Sequence, residues 1–166
     1  MSAWTVIAHT EVGSGGATDI IFSSIAGTYT DLCLMLSGRA TGSNATGDMF
    51  FEFNDSGSNF SYRHLYGNGS SAVSASYSGI YGRDLSAATA TANTFGSAEA
   101  YIPNYAGNTN KSLSVDTAGE TNATTTLMSL AAGLWSNTAA ITSVNLTTDG
   151  NFVQYSTAYL YGIKNS

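Results

Sequence analysis

The chain has 166 residues and a net charge of −6, and only 10% of its residues are charged, against roughly 25% in a typical soluble protein. This length suits one hydrophobic core, and we predict a single domain over residues 1–166. The cations are too few to form the clustered basic patch that binding to a nucleic-acid backbone requires. No apolar run approaches the roughly 20 residues of a transmembrane helix. The cations are Arg39, Arg63, Arg83, Lys111 and Lys164.

The surface must be covered by neutral polar residues, chiefly Ser, Thr, Asn and Gly. Such a surface costs little to desolvate, so it suits dense packing against other subunits. The alternative is an acidic domain of a secreted or environmental protein. Residues 1–9 show neither a basic start nor a long apolar run, which predicts no signal peptide and assembly in the cytoplasm.

Cys33 is the only cysteine, which excludes an intrachain disulfide and a cysteine-based zinc site. It lies within an apolar strand, so we expect it to be a small buried hydrophobe.

Alternating apolar and polar residues predict a series of short strands. In chain order they cover residues 4–10, 18–25, 28–37, 49–54, 60–66, 72–81 (a weaker strand), 95–102, 111–117, 124–135, 141–147 and 157–163. Residues 84–93, rich in Ala and Thr, are interpreted as a long loop, with a single helical turn as the alternative. Asn68-Gly69 predicts a tight type I′ hairpin turn, because both residues tolerate positive φ.

The alternation also predicts which residues share a face of each strand. The faces expected from the sequence are Trp4, Val6 and Ala8; Leu32, Leu34 and Leu36, which face inward; Phe60, Tyr62, His64 and Tyr66, opposite Ser61, Arg63 and Leu65; Leu113 and Val115, which face inward; and Met128, Leu130, Ala132 and Leu134. About ten short strands separated by Gly, Asn and Ser turns, without a convincing helix, predict an all-β fold. The expected architecture is an antiparallel β-sandwich that is jelly-roll-like.

The sequence contains few candidates for catalytic residues. Only His9 and His64 could act as the imidazole of a hydrolase triad, and no Gly-x-Ser-x-Gly elbow accompanies them. His64 alternates with tyrosines and is interpreted as a packed or interface residue. Glu52 and Glu99 lie within predicted strands and could face one another across a sugar-binding sheet, although solvated outward-facing acids are the default.

Residues 54–59 offer closely spaced oxygen atoms that could bind calcium, but a plain hairpin turn is favoured. No phosphate-binding or dinucleotide-binding glycine motif is present. The sequence therefore predicts no catalytic residue, no metal site and no cofactor.

Aromatic residues are the more informative class, because ten tyrosines and two tryptophans are too many for a small sandwich to bury with all their polar groups satisfied. Tyr and Trp at a surface favour protein interfaces or sugar faces. The predicted interface residues are Trp4, Tyr62, Arg63, His64, Tyr66, Tyr101, Tyr105 and Trp135.

Several short phrases of the chain resemble a group of small structural proteins of tailed bacteriophages. They are Thr28–Leu32, Tyr62–Gly69, Tyr101–Gly107, Gly133–Ser136 and Leu160–Gly162. The resemblance covers most of the chain and contains no catalytic signature. It implies a virion component with a jelly-roll-like fold, and it transfers no functional residue.

Two positions on the particle follow from this resemblance. A head decoration (cement) protein would bind the major capsid protein, commonly as a trimer, and would stabilise the head. A tail-fibre or tail-tip module would bind a host receptor or polysaccharide. Fibre proteins usually carry an anchor or coiled coil before the binding domain, and the first predicted strand begins close to Met1, so we expect the decoration role. A free lectin domain is a further alternative, and an enzyme is the least favoured.

Overall fold

A computed structural model describes residues 3–79, 81–120 and 126–164, and in these residues it contains twelve β-strands and no helix. The strands are β1 Ala3–Glu11, β2 Ala17–Phe22, β3 Asp31–Gly38, β4 Thr46–Phe53, β5 Phe60–Gly67, β6 Ala72–Tyr77, β7 Tyr81–Ser86, β8 Gly96–Pro103, β9 Lys111–Glu120, β10 Thr126–Trp135, β11 Val144–Phe152 and β12 Thr157–Lys164. No described segment forms a helix long and apolar enough to cross a bilayer.

The strands form two antiparallel sheets, which confirms the all-β sandwich. One sheet has eight strands in the order β1-β12-β3-β8-β9-β10-β5-β6, and the other has four in the order β2-β11-β4-β7. The jelly-roll likeness is not established by this order, in which one sheet has twice the strands of the other.

The core lies between the two sheets and follows the alternation of the strands. Leu32, Leu34 and Leu36 on β3 are at most 3% exposed, as predicted from their spacing. The four-stranded sheet contributes Phe51 and Phe53, and Phe53 packs edge-on against the Trp135 ring. Burying one aromatic side chain of this size contributes about 3–5 kcal/mol to stability, judged by truncation to Ala.

The region after β5 differs from its prediction. The turn does not have the predicted type I′ geometry at Asn68-Gly69, because Gly69 has φ +83° and Asn68 does not have a positive φ. The backbone N–H of Asn68 donates to the Ser71 carbonyl oxygen at 3.3 Å, so Gly69 and Ser70 are the two residues between the bonded pair. The Asn68 Oδ1 atom accepts hydrogen bonds from the backbone N–H groups of Ser70 and Ser71 at 3.0 and 2.9 Å. The side chain of Asn68 thereby stabilises a turn that begins one residue later than its dipeptide suggested.

The predicted strand 72–81 and loop 84–93 are also revised. Two strands, β6 and β7, occupy this region, and β7 joins the four-stranded sheet beside β4. Position 80 of that prediction lies outside the described residues, as do positions 124 and 125 of the predicted strand 124–135. Residues 87–95 form a loop without a helical turn.

The guanidinium group of Arg39 stabilises this loop through backbone carbonyl groups. It donates to the carbonyl oxygens of Thr91 and Thr94 at 2.8 and 2.9 Å, and to those of Ala88 and Ala90 at 3.4 and 3.1 Å. Lys111 makes similar contacts elsewhere: its Nζ donates to the carbonyl oxygens of Gly107 at 2.7 Å and Thr138 at 3.3 Å. Arg39 and Lys111 therefore bind the backbone of their own chain.

Candidate functional site: the outer face of the eight-stranded sheet

The outer face of the eight-stranded sheet, which points away from the core, carries an unusual number of exposed apolar side chains. Strand pairing places Leu65 directly opposite Leu130, and these side chains are 50% and 48% exposed. We call this surface the outer face. Its large exposed apolar residues are Trp4, Val6, Leu65, Met128, Leu130, Leu134 and Tyr159.

Strand β10 contributes three of these exposed apolar side chains. Its apolar residues Met128, Leu130 and Leu134 share one face, as the alternation predicted, but that face points to solvent. The residues of β10 that point to the core are Ser129, Ala131, Gly133 and Trp135, which are buried. The most apolar face of β10 is thus on the outside of the sandwich.

A bulge in β1 adds to the outer face. The register between β1 and β12 shifts between Val6 and Ala8, so the predicted face of Trp4, Val6 and Ala8 is broken. Beyond the shift, His9 pairs with Tyr159 and their rings stack with centroids 5.6 Å apart. The extra residue turns His9 onto the same face as Trp4 and Val6.

The middle of the outer face contains two carboxylates. Glu99 on β8 pairs directly with Asp116 on β9, and both side chains are exposed. Like charges placed directly opposite one another destabilise a sheet, by a few tenths of a kcal/mol to about 1 kcal/mol. They border a hollow of about 590 Å³ that Met35, Leu130 and Tyr159 also line.

The alternative in which Glu52 faces Glu99 is wrong, and both acids point outward, as expected by default. Glu52 lies on β4 in the other sheet, between the buried residues Phe51 and Phe53, so it points away from the sandwich on the opposite side. The side-chain amide of Asn145 donates to Glu52 Oε2 at 3.4 Å. Membership of strands alone did not reveal which sheet each acid joins.

Two of the eight predicted interface residues, Trp4 and Arg63, are exposed on the outer face. Arg63 Nη1 donates to the carbonyl oxygen of Tyr62 at 3.1 Å. Tyr66 and Tyr101 are partly exposed, and the Tyr101 hydroxyl donates to Asp31 Oδ2 at 2.6 Å.

The other four predicted interface residues are buried within the chain, so their side chains cannot reach a partner in this fold. Tyr62, His64, Tyr105 and Trp135 are at most 3% exposed. Tyr62 and His64 point inward because β5 alternates as predicted, and their rings lie 5.2 Å apart. The hydroxyl of Tyr105 donates to the carbonyl oxygen of Ala26. The sandwich therefore buries more of these aromatic residues than the composition suggested.

The predicted packing of Cys33 is confirmed, since it is fully buried between strands. Burial, with a smaller contribution from Glu99, raises the pKa of its thiol to about 12. At residues 54–59, the Asn54 amide is engaged in structure: its Oδ1 accepts from Thr142 N at 2.8 Å and its Nδ2 donates to Ala140 O at 2.8 Å. Among the residues described, no three His, Cys, Asp or Glu side chains group as metal ligands would.

Comparison with known proteins adds no relative: no family model, curated protein or solved structure matches the chain.

Proposed function

We propose that this chain is a non-enzymatic structural protein of a phage virion, a decoration (cement) protein that binds the major capsid protein through the outer face and stabilises the head. One observation carries the proposal. Seven large apolar side chains, each at least 36% exposed, share the outer face of a single sheet.

Leaving the apolar side chains of this face in water costs free energy. Burial of apolar surface contributes about 25 cal/mol per Å². The seven side chains form two groups, one on β1 and β12 and the other on β5 and β10, with the polar residues of β8 and β9 between them. From strand spacing and strand length, the face covers roughly 900 Å². A stable protein interface buries about 800 Å² on each partner. The outer face is therefore large enough to hold a protein partner.

The polar residues of the outer face suit the same role. Exposed serines, among them Ser37, Ser97, Ser112 and Ser114, alternate with buried positions on β3, β8 and β9. A hydroxyl group can donate and accept, and it is far cheaper to desolvate than an ion. The placement on a phage head rests on the sequence resemblance, and the apolar face supports its assembly role.

A binding assay with matched variants tests the proposal. Leu65→Ser and Leu130→Ser each remove an apolar side chain from the outer face, whereas Ile21→Ser does so on β2 of the other sheet. Ile21 is 50% exposed, like Leu65, so the control matches the loss of exposed apolar area. We expect the two outer-face variants to sediment less with capsids that lack the protein, while Ile21→Ser binds as wild type. Equal binding by all three variants would overturn the proposal.

A second candidate, a tail-associated or lectin-like module that binds a surface glycan, is favoured by the hollow on the outer face. The ring of Tyr159 borders it, as do the carboxylates of Glu99 and Asp116. An aromatic ring can stack on a sugar, and carboxylates accept hydrogen bonds from its hydroxyl groups. Binding on a glycan array that Tyr159→Ala abolishes, and that Tyr155→Ala retains, would select this function. Tyr155 is 63% exposed outside the hollow, which makes it the matched control.

A further inference from the structure

The free edge of β6 differs from the other three sheet edges of the described chain. β1, β6, β2 and β7 are the edge strands of the two sheets. An unpaired strand edge presents N–H and C=O groups that can pair with another chain, and proteins usually protect it with charges, bulges or short irregular strands.

Three of the edges are protected. β1 has a register shift between Val6 and Ala8 and ends on the exposed residue Glu11. β2 contains Asp19. β7 contains Asp84 with φ +78°, and the register shifts on its partner β4. Each of these features disfavours regular pairing with another strand.

β6 has none of these features. Its sequence is Ala-Val-Ser-Ala-Ser-Tyr, without a charge or a proline, and it pairs with β5 in one unbroken register from Ala72 to Tyr77. Its residues are exposed except for Ala75, which is partly buried. No described strand pairs with its other edge.

The geometry points to a second copy of this chain as the occupant of that edge. We propose that two β6 strands pair antiparallel about a twofold axis at Ala75, which joins two eight-stranded sheets edge to edge. A homotypic contact places identical surfaces against one another, so a charge on the edge would be removed from water twice, once in each copy. An uncharged edge avoids that desolvation cost, and β6 is the one described edge strand without a charge.

The residues that would face each other are complementary in this register. With Ala75 on the axis, Val73 of one copy lies opposite Tyr77 of the other, and the same pair repeats across the axis. Val73 and Tyr77 are 37% and 46% exposed in the single chain. Pairing of an aromatic with a β-branched residue is among the favourable cross-strand combinations. On the other face of β6, Ser74 would lie opposite Ser76.

This inference is independent of the proposed function, since it uses the edge of the sheet and leaves the outer face available. The dimer could bind a capsid, a glycan or neither. Failure of capsid binding therefore says nothing about the β6 contact, and the reverse also holds.

Two double variants test both the contact and its register by analytical ultracentrifugation over a range of concentrations. In S74E/S76E, the new carboxylate at position 74 would face the new carboxylate at position 76 of the second copy, so we expect the dimer dissociation constant to rise by at least about tenfold. In S74K/S76E, an ammonium group at position 74 would face that carboxylate instead, so the dimer should persist. Within one chain, position 76 lies opposite Arg63, so we expect a glutamate side chain there to be tolerated in both variants.

Disulfide trapping provides a second, structural readout. Directly opposite residues of antiparallel strands have Cα atoms about 4.5–5.5 Å apart, within the range of a disulfide. We expect Ala75→Cys to form a covalent dimer on mild oxidation, and the exposed Ser97→Cys on β8 to remain monomeric. A monomeric wild type at all concentrations, or loss of the dimer in S74K/S76E as well as in S74E/S76E, would overturn the proposal.

Discussion

Individual polar groups in this protein are mostly committed to its own structure. Asp31 is buried, and it accepts hydrogen bonds from the Tyr101 hydroxyl at 2.6 Å and from the backbone N–H of Asn104 at 2.9 Å. These two bonds hold the end of β8 and the start of the following loop against β3. A sequence shows an acid and a tyrosine seventy residues apart, but not that the register of β3 and β8 brings them together.

The Tyr101–Asp31 hydrogen bond predicts a pH dependence. The bond to Asp31 is the largest cause, with burial second, of a Tyr101 pKa raised to about 12. Because the folded pKa exceeds the unfolded value near 10, the protonated phenol stabilises the fold below pH 10, and that contribution is lost as pH rises toward 12. Tyr101→Phe should lower the free energy of unfolding by about 1 kcal/mol at pH 7.

Urea unfolding of wild type and Tyr101→Phe, followed from neutral pH up to the raised pKa of about 12, measures the difference in their free energies of unfolding. That difference should be constant to about pH 10 and should become smaller above pH 10. A difference that grows with pH would contradict the assignment, and Tyr155→Phe, at an exposed position, serves as control.

Cys33 should be chemically silent in the folded protein. The thiolate is the reactive form, and both the burial of Cys33 and its raised pKa suppress it. We expect no labelling by a maleimide or disulfide reagent at about pH 8 in native buffer, and complete labelling in guanidinium chloride. Rapid labelling under native conditions would show that the strand opens; the exposed Ser97→Cys variant calibrates the reagent.

At the scale of elements, the sequence predicted most strands because their alternation is strong and their turns contain Gly, Asn and Ser. The inward residues of β3 and the grouping of residues on the two faces of β5 were correct for this reason, but Tyr62 and His64 of β5 were predicted at an interface and not in the core. The predictions that failed, for β1, β7 and β10, have specific causes. A bulge in β1 shifts alternation by one residue, and β7, short and bent at Asp84, resembles a loop. Alternation also does not say which face of β10 meets the core.

The loop of residues 87–95 is held by backbone hydrogen bonds from residues 87–89 to residues 42–45 and by the contact of the Arg39 guanidinium with four carbonyl oxygens. A planar guanidinium has five N–H donors, whereas a lysine ammonium has three at one point. We predict that Arg39→Lys increases amide hydrogen exchange in this loop about tenfold or more while leaving β3 unchanged. Hydrogen-exchange mass spectrometry measures this, with Arg63→Lys as control; unchanged exchange would show that other contacts hold the loop.

For the whole molecule, the low content of charged residues has its clearest consequence on the outer face. The outer face combines seven large exposed apolar side chains with serines and few ions. The candidate surface could not be located from the sequence, because four of the eight predicted interface residues lie in the core. Their position follows from strand register and sheet order, which are long-range features.

An interface of this composition should resist salt. Salt screens charge–charge attraction, with a Debye length of about 10 Å at 0.1 M and about 3 Å at 1 M, and it does not weaken apolar burial. We expect binding to capsids to be retained between about 0.1 and 1 M sodium chloride. Release at moderate salt would indicate that ion pairs, such as those of Arg63 or Asp116, dominate the contact.

The most direct test of the proposed function is an electron cryo-microscopy reconstruction of an intact particle that contains this chain. We expect density for the sandwich on the head, with Leu65, Leu130 and Tyr159 of the outer face directed toward the major capsid protein. Density on the tail, or a head-bound molecule whose outer face points to solvent, would contradict it.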